Sequence, residues 1–416
     1  MTWTINTSII MQGVSKLWVL SEFQVSLISL NFVVGMFLGS YFWGILADIY
    51  GRMFSFKKTV IFALLGGIGL TVSPSVEWVY ISNLVTGFGV GGEIALGGTV
   101  LAEFTPPSRN WLIGLLCMFW SLGGAISALL ALIFQFTGEA VMWRWVCGIC
   151  AGTEFLFLFL RWNMPETPFW LYNQERYTEA HSVMKKVQKK NQTDHFDLNY
   201  FSFDSFISGT GCQESKSSII LKIFGKVHIR TTLIMSLIYF LGNFAFAALV
   251  YFMPMLIKQS SSEESTTSVW IIILIQQAAG IPGNFIAAWL MESSLGRKWL
   301  LVIASLVTSV LTFLFLMANG VGTTLLFSSL MMMCSYLTWS VAYTVTPESY
   351  PTEIRNSGVG WANTCAKFGG IVAPPLMGML MELESGFVVS LVGISGVFVA
   401  IGLLCSLIKE KRVMKE

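Results

Sequence analysis

Long apolar runs separated by short polar loops dominate the hydropathy pattern of the chain. Eleven of these runs come close to, or exceed, the roughly 20 residues that an α-helix needs to cross a bilayer. They predict membrane-spanning helices at residues 25–47, 59–76, 78–102, 111–136, 143–163, 230–257, 269–290, 299–318, 322–346, 359–381 and 386–408. A twelfth apolar stretch, residues 1–12, is too short to span a bilayer and lacks the features of a signal peptide. The pattern therefore predicts an all-α membrane protein whose first helix is incomplete.

The composition agrees with a membrane protein. Hydrophobic residues make up 54% of the 416 residues and charged residues only 12%, about half the charged fraction of a soluble domain. The formal net charge is +2, so the chain offers no broad positive field for nucleic acid. We expect a lipid bilayer as its environment, no nucleic-acid partner and a monomeric state.

The basic residues indicate an orientation. When the loops are assigned to alternating sides, 21 of the 25 Lys and Arg residues fall on one face, and Lys367 falls inside a helix. The other face receives only Lys16, Arg144 and Lys258. Basic residues accumulate on the cytoplasmic side of membrane proteins. The pattern predicts that the first face and the C-terminus are cytoplasmic, in a plasma membrane or an intracellular vesicle membrane.

Two loop motifs recur with a single period. The first motif contains Asp48, Gly51 and Arg52, which recur as Glu292, Gly296 and Arg297; the second contains Glu103 and Arg109, which recur as Glu348 and Arg355. The offsets all lie between 244 and 246 residues, which indicates duplicated halves in parallel orientation, a repeat pattern found in transporters. The predicted units are a first bundle at 1–164, a polar linker at 165–228, a second bundle at 229–408 and a tail at 409–416. Within the linker, Tyr177, Ala180, Met184 and Val187 fall on one face of a predicted amphipathic helix.

These motifs resemble a known superfamily. The segment GILADIYGR, followed by Lys57 and Lys58, resembles the loop signature of the major facilitator superfamily. The segments GGEIALGGTVLAEFTPPSR, RWNMPETPFWL, GNFIAAWLMESSLGRK and TPESYPTEIRNSGVG resemble the group of bacterial niacin transporters and synaptic-vesicle-glycoprotein-like proteins. The resemblance implies two parallel six-helix bundles and a carrier of a small organic ion that works by alternating access. Two departures are the short first helix and Asn83, which occupies a position where the family commonly has Arg.

Charged residues at helix ends on the predicted cytoplasmic face form a candidate gate. They are Asp48, Arg52, Glu103, Arg109, Glu166, Glu292, Arg297, Glu348 and Arg355. The resemblance implies ion pairs between the halves that close the cytoplasmic side and break when the halves rock. The alternative is that these charges only cap helices and solvate loops. Exposed ion pairs contribute about 0–1 kcal/mol each, so energy does not decide between the two.

Three ionisable residues fall inside predicted helices, namely Glu93, Glu154 and Lys367. A charge at the bilayer centre costs at least about 2–3 kcal/mol unless it is paired or faces water, so each is a functional candidate. Glu93 follows a glycine-rich run and is a candidate for substrate binding and proton coupling. The alternative is a protonated Glu bonded to a neighbouring helix. Glu154 lies among aromatic and aliphatic residues, where a helix-packing role is expected.

Lys367 carries the strongest indication of a substrate. The resemblance extends to organic ion transporters, in which anion carriers have a basic residue in this segment and cation carriers an acidic one. Lys367 therefore implies an anionic group on the substrate, because a buried ammonium needs a counter-ion. The alternative is a permanent pair with Glu93 or Glu154.

Uncharged polar and aromatic residues complete the candidate substrate site. They are Tyr239, Asn243, Gln276, Gln277, Trp339, Tyr343 and Asn363. Trp339 and Tyr343 are four residues apart and share a helical face, which suits stacking on a flat ring. Ordinary helix packing is the alternative for each of them.

Other motifs are discounted. Gly87, Gly89 and Gly92 match a dinucleotide-binding spacing, but they lie in an apolar helix with no preceding strand, where close helix packing explains them better. The Cys147 and Cys150 pair has no His or second cysteine pair nearby, so the sequence offers no metal site. No phosphate-binding loop occurs, which argues against an ATP-driven pump. We expect no cofactor, no metal and no enzymatic activity.

The sequence favours a secondary carrier of a small organic anion, for example an aromatic monocarboxylate such as nicotinate, with proton cotransport as an option. Two other functions stay open. One is a non-transporting sensor or trafficking protein on a carrier scaffold, and the other is an organic cation carrier that uses Glu93 as its binding charge.

Overall fold

A computed structural model of the chain describes residues 2–104, 118–191, 223–260, 266–291, 296–318, 320–350 and 354–407. In this part of the chain the regular structure is helical throughout. The first half contains α1 Thr2–Trp18, α2 Glu22–Tyr50, α3 Arg52–Thr71, α4 Val76–Phe104, α5 Met118–Phe134 and α6 Glu139–Arg161. The linker contains α7 Pro168–Asn173 and α8 Tyr177–Lys190. The second half contains α9 Ile229–Ser260, α10 Thr266–Met291, α11 Arg297–Leu314, α12 Val321–Glu348, α13 Arg355–Met381 and α14 Gly386–Ser406.

Eleven of the described helices, α2–α6 and α9–α14, are long and apolar enough to cross a membrane. This confirms the predicted number of full spans. The helices extend beyond several predicted apolar runs: the run 25–47 lies within Glu22–Tyr50, and the run 59–76 corresponds to Arg52–Thr71. The differences arise because polar residues at helix ends are still hydrogen-bonded in the helix although they do not contribute to the apolar signal.

The first helix is longer than the sequence predicted. The apolar stretch was expected to end at residue 12, but α1 continues to Trp18. Its 17 residues correspond to about 25 Å at 1.5 Å per residue, still less than the roughly 30 Å hydrocarbon core. Every residue from Trp3 to Val14 is buried, and α1 contacts helices of both halves. The prediction that this segment is too short to span a bilayer is confirmed, although the helix continues past the apolar run because Ser15 and Lys16 do not break it.

The glycine-rich run in α4 provides a surface for close helix packing. A methyl group added at Gly87 would lie 3.0 Å from the carbonyl carbon of Phe32 in α2, and one added at Gly91 would lie 2.6 Å from Cα of Met36. Gly89 approaches the backbone of α3 in the same way, at 2.9 Å from Cα of Ala63. The missing side chains let three helix backbones meet, as expected for small residues in membrane helices. This accounts for the dinucleotide-like spacing.

Among the described residues, the two halves meet mainly along three pairs of helices. α2 packs against α13, α5 against α10, and α1 against α9. We call the end of the molecule that carries the repeated loop motifs the basic face. We call the end at which α1 and α9 finish and α6 begins the opposite face. The architecture is the major facilitator fold of two six-helix bundles.

The glycine of the repeated loop motif has a positive φ in both halves. Gly51 has φ 115° and Gly296 has φ 76°, and each immediately precedes a helix. A side chain is strained in this region of φ, so glycine is suited to the position. The two glycines are 245 residues apart. The period found in the sequence therefore coincides with a glycine of positive φ at the start of a helix in each half.

The linker helices pack on each other at the basic face. Ala180 and Val183 of α8 form a buried cluster with Trp170 and Leu171 of α7. Trp170 also donates a hydrogen bond from Nε1 to the carbonyl oxygen of Asp48 at 3.1 Å, which joins the linker to the first bundle. Of the predicted apolar face, Ala180 is buried, whereas Tyr177 and Val187 are exposed.

Candidate functional site

Lys367 lies on the face of α13 that is directed toward the first bundle. Gly360 and Gly378 are 18 residues apart, which is five turns of an α-helix, so both lie on the same side of the helix. Lys367 lies on that side as well, rotated by only about 20° around the helix axis. A methyl group added at Gly378 would lie 2.6 Å from Cβ of Ser26 in α2, so this direction leads to the other half. At Gly360 the same direction meets no atom within 4 Å. Lys367 thus lies between a tight contact and an open space.

The ammonium of Lys367 forms no ion pair with the residues that the structure describes. Its side chain is partly exposed, and Asn363, one turn earlier, is also partly exposed. The permanent pair with Glu93 or Glu154, which the sequence left open, does not occur among these residues. A charge on an inter-bundle face without a protein partner can be neutralised by an anionic ligand.

Glu93 has a cationic partner within its own bundle. Its Oε1 accepts a hydrogen bond from Nη1 of Arg161 at 2.6 Å, and the two side chains are only 18% and 21% exposed. The Arg161 guanidinium also lies 4.1 Å from the ring centroid of Phe56. The pair joins α4 to the end of α6, with α3 supplying the aromatic ring. Sequence reasoning assigned Arg161 only to a loop, because nothing in the local pattern connects residues 68 positions apart.

Glu154 contacts the first helix. Nε1 of Trp3 donates to Oε1 of Glu154 at 3.1 Å, and both side chains are buried. This hydrogen bond holds α1 against α6. It is the kind of helix-packing contact that the sequence suggested for Glu154.

Asn243 and Gln277 make hydrogen bonds that hold helices together. Nδ2 of Asn243 donates to the carbonyl oxygen of Ala366 at 2.7 Å, which ties α9 to α13 directly beside Lys367. Oε1 of Gln277 accepts from the Tyr336 hydroxyl at 2.8 Å, between α10 and α12. Gln277 is 2% exposed and packs against Gly124 of α5, so it lies in the contact between the two bundles. The neighbouring Gln276 is fully buried, and neither polar atom of its amide has a hydrogen-bond partner in the described structure.

Trp339 and Tyr343 form an aromatic cluster with Tyr239. The ring centroids of Trp339 and Tyr343 are 5.4 Å apart, and the ring of Tyr239 meets them edge-on at 5.5 and 5.9 Å. Tyr239 is fully buried, whereas Tyr343 is 45% exposed. The shared helical face predicted from the sequence places the two aromatic rings of α12 side by side, and the exposed ring of Tyr343 is the accessible part of the cluster.

Asn83 makes a hydrogen bond between two helices of the first bundle. Its Nδ2 donates to the carbonyl oxygen of Ile28 at 2.7 Å, and the side chain is fully buried. The position therefore contributes to packing of α4 on α2, and it places no positive charge in the first bundle.

The described loop charges pair within the first bundle. Arg52 contacts Asp48 at 2.5 Å and Glu103 at 3.1 Å, so it joins α2, α3 and α4 at the basic face. Glu166 accepts hydrogen bonds from the backbone N–H of Met53 at 3.0 and 3.1 Å. In each of these described pairs the partner lies in the same half or in the adjoining linker, and pairing across the two halves stays a prediction.

The other predicted gate residues are only partly described. Arg297 is the first residue of α11. Arg109 and Glu292 lie outside the described residues, and the side chains of Glu348 and Arg355 are likewise outside them.

The sequence is similar to a known protein family and to individual proteins of other organisms. The family described as "Sugar (and other) transporter" matches residues 4–411. The niacin transporter NiaP of Acinetobacter baylyi is 28% identical over 91% of this chain and 83% of its own length. The synaptic vesicle 2-related protein of Xenopus laevis is 26% identical over 88% of this chain and 68% of its own length.

Solved structures support the same fold. The xylose transporter XylE from E. coli, in a partially occluded inward open conformation, superimposes with a TM-score of 0.76. It is 16% identical, and the match covers 100% of this chain and 96% of XylE. The chain is thus a multi-pass integral membrane protein of a transporter family rather than an enzyme. It belongs to the sugar (and other) transporter family of the major facilitator superfamily.

Proposed function

We propose that this transporter moves a small organic anion with a flat ring, such as an aromatic monocarboxylate, across the membrane by alternating access. The observation that carries the proposal is that Lys367, on a helix that packs against the first bundle at Gly378, forms no ion pair among the described residues. An anionic substrate supplies the missing counter-ion. The similarity to a niacin transporter supports nicotinate as the first substrate to test.

The aromatic and amide groups near the bundle interface have supporting roles in this proposal. Tyr343, with Trp339 behind it, offers an exposed ring on which a flat substrate stacks. Asn363 lies one turn from Lys367 on the same helix and is positioned for a polar contact. Asn243 and Gln277 position the site through their hydrogen bonds to neighbouring helices, so their effect on transport is indirect.

The decisive experiment is uptake of labelled nicotinate into proteoliposomes by Lys367 variants. A charge-assisted hydrogen bond contributes about 1.5–3 kcal/mol, so Lys367→Met should reduce uptake by about 10- to 100-fold. Lys367→Arg retains the charge and should retain part of the activity. Lys298→Met is the matched control, since it removes a lysine at the start of α11, away from the interface. Full activity of Lys367→Met would refute the proposal.

Competition distinguishes the anion carrier from the cation carrier. Nicotinate and benzoate should compete, whereas nicotinamide, which lacks the carboxylate, should compete much more weakly. A cationic substrate would need an available carboxylate, and the pairing of Glu93 with Arg161 disfavours that role for Glu93. Competition by organic cations, with none by anions, would favour the cation carrier. Absence of uptake for both classes would favour a non-transporting protein.

Proton coupling is proposed through Glu93. Protonation of this carboxylate would break its pair with Arg161 and loosen the contact between α4 and α6. Glu93→Gln should then transport equally well with and without an imposed pH gradient, while the parent responds to the gradient. An equal response in both proteins would exclude Glu93 from coupling.

The orientation and the gate are part of the same proposal. The excess of basic residues favours a cytoplasmic basic face and C-terminus. The Asp48–Arg52–Glu103 cluster would keep α2, α3 and α4 together as a rigid unit while the halves rock. Protease cleavage of a C-terminal tag from one side of intact cells tests the orientation.

A further inference from the structure

Three charged side chains converge at the opposite face. Nζ of Lys16, in α1, lies 2.7 Å from Oε2 of Glu139, and Nζ of Lys258, in α9, lies 3.4 Å from Oε1 of the same carboxylate. The Glu139 side chain is 7% exposed, and the lysine side chains are 56% and 36% exposed. Two ammonium groups thus share one nearly buried carboxylate.

The cluster crosses the boundary between the halves. Lys16 and Glu139 belong to the first bundle, whereas Lys258 belongs to the second. The Glu139–Lys258 pair therefore joins the bundles, and the Glu139–Lys16 pair stays within one of them. A movement of the two bundles apart would therefore break the Glu139–Lys258 pair and leave the Glu139–Lys16 pair intact.

Other hydrogen bonds also join the two bundles. The backbone N–H of Phe23, at the start of α2, donates to Oε1 of Glu382, just beyond α13, at 3.0 Å. The Ser8 hydroxyl of α1 donates to the carbonyl oxygen of Val250 in α9 at 2.9 Å. All of these contacts join the two bundles. An opening of the opposite face must break the Phe23–Glu382 contact along with the Glu139–Lys258 pair, whereas the Ser8–Val250 contact lies about 12 Å deeper between the bundles.

We propose that the Glu139–Lys258 pair is a latch that holds the two bundles closed at the opposite face, and that it must break before this face opens. The proposal rests on the alternating-access mechanism given above. Lys16 keeps Glu139 paired when the latch is open, so the carboxylate does not face the membrane without a counter-ion. Because both lysines compete for one carboxylate, Lys16 also weakens the latch and makes it reversible.

The structure supplies a reporter for opening of this face. Ser26 of α2 is fully buried, and it lies where Gly378 of α13 packs closely against it. A cysteine at position 26 is therefore protected from a water-soluble maleimide while the bundles are closed at the opposite face. Ser127 is equally buried but lies within the first bundle, where it hydrogen-bonds to the carbonyl oxygens of Thr2 and Gly123. Ser127→Cys is the matched control for general loosening of the fold.

The test measures maleimide labelling of Ser26→Cys in protein reconstituted into nanodiscs, with the seven native cysteines as background. Lys258→Met removes only the contact between bundles and should raise the labelling rate about fivefold, as expected for a pair of about 1 kcal/mol. Lys258→Glu, which places two carboxylates together, should raise it further. Lys16→Met leaves the latch in place and should not raise it.

The rise caused by Lys258→Met should be smaller in high salt, because the parent pair is itself screened there. Three results would overturn the latch: unchanged labelling in Lys258→Met, an equal rise in Lys16→Met, or an equal rise at Ser127→Cys. The experiment uses no substrate. Failure of nicotinate transport would refute the proposed substrate and leave the labelling result, and hence the latch, to be judged separately.

Discussion

The glycine-rich run of α4 gives a quantitative prediction about packing. Gly87 faces the backbone of α2, and a methyl group added there would lie 3.0 Å from the carbonyl carbon of Phe32 and 3.2 Å from the backbone nitrogen of Met36. Both atoms belong to a helix backbone, so no side chain can rotate away. Gly87→Ala must therefore separate α2 from α4. Gly97, ten residues along the same helix, has no atom within 4 Å of an added methyl group.

The two substitutions have opposite expected signs. Replacing glycine by alanine inside a helix favours the helix by about 0.8–1 kcal/mol. At Gly87 this gain is outweighed by overpacking, which costs about 1–3 kcal/mol, and by weaker van der Waals attraction between the separated helices. We expect Gly87→Ala to lower the free energy of unfolding by about 2 kcal/mol, and Gly97→Ala to leave it unchanged or raise it by up to about 1 kcal/mol.

Thermal unfolding of the purified protein in detergent measures the difference. For a bundle of this size, a loss of about 2 kcal/mol corresponds to a Tm decrease of roughly 4–8 °C. Unfolding is detected by the exposure of cysteines or by intrinsic fluorescence. The reasoning would be refuted if Gly87→Ala were as stable as Gly97→Ala. In that case the close contact between α2 and α4 would not be the reason for glycine at these positions.

Two further predictions concern buried charges. Arg161→Met leaves Glu93 without its partner and should lower the free energy of unfolding by about 1–3 kcal/mol, and with it the Tm. The double variant Glu93→Gln/Arg161→Met should recover most of this loss. Additive losses in the double variant would contradict the pairing. Trp3→Phe keeps an aromatic ring but removes the hydrogen-bond donor to Glu154, so it should lower the free energy of unfolding by about 1–3 kcal/mol. The double variant Trp3→Phe/Glu154→Gln should lose less stability than Trp3→Phe. Trp18→Phe is the control in the same melting assay.

The membrane spans could be predicted from the sequence because each span is a local property. A run of about 20 apolar residues forms a helix in a bilayer whatever the rest of the chain does. The end of α1 was missed because Ser15 and Lys16 are polar although the helix continues through them. The length of an apolar run indicates how much of a helix can lie in lipid. The helix itself ends where its backbone hydrogen bonds end, which can be several residues later.

The pairing of charges could not be predicted in the same way. Glu93 and Lys367 were recognised as unusual, since a charge inside an apolar run is visible locally. The partner of Glu93, Arg161, lies 68 residues away, and Lys258 lies 119 residues from Glu139. Such pairs depend on how helices are arranged, and one sequence contains no signal for that. The aromatic pair of Trp339 and Tyr343 was found because its spacing lies within a single helix.

The internal repeat includes the glycines at which helices pack against each other. At an offset of 245 residues, the helix-contact glycines Gly35 and Gly124 correspond to Gly280 and Gly369, and all four lie against a neighbouring helix.

The membrane charges do not follow this repeat. Lys367 corresponds to Leu122, Glu93 to Thr338 and Arg161 to Ser406. The loop motifs do share charges between the halves, such as Arg52 with Arg297 and Glu103 with Glu348. Within the first bundle Glu93 and Arg161 neutralise each other, whereas Lys367 has no counterpart in the repeat and no ion pair among the described residues. If Lys367 binds the substrate anion as proposed, the substrate charge is held by one half only. The substrate charge should therefore stay with the second bundle while the first moves around it, and the first bundle should contribute shape and, through Glu93, the response to protons.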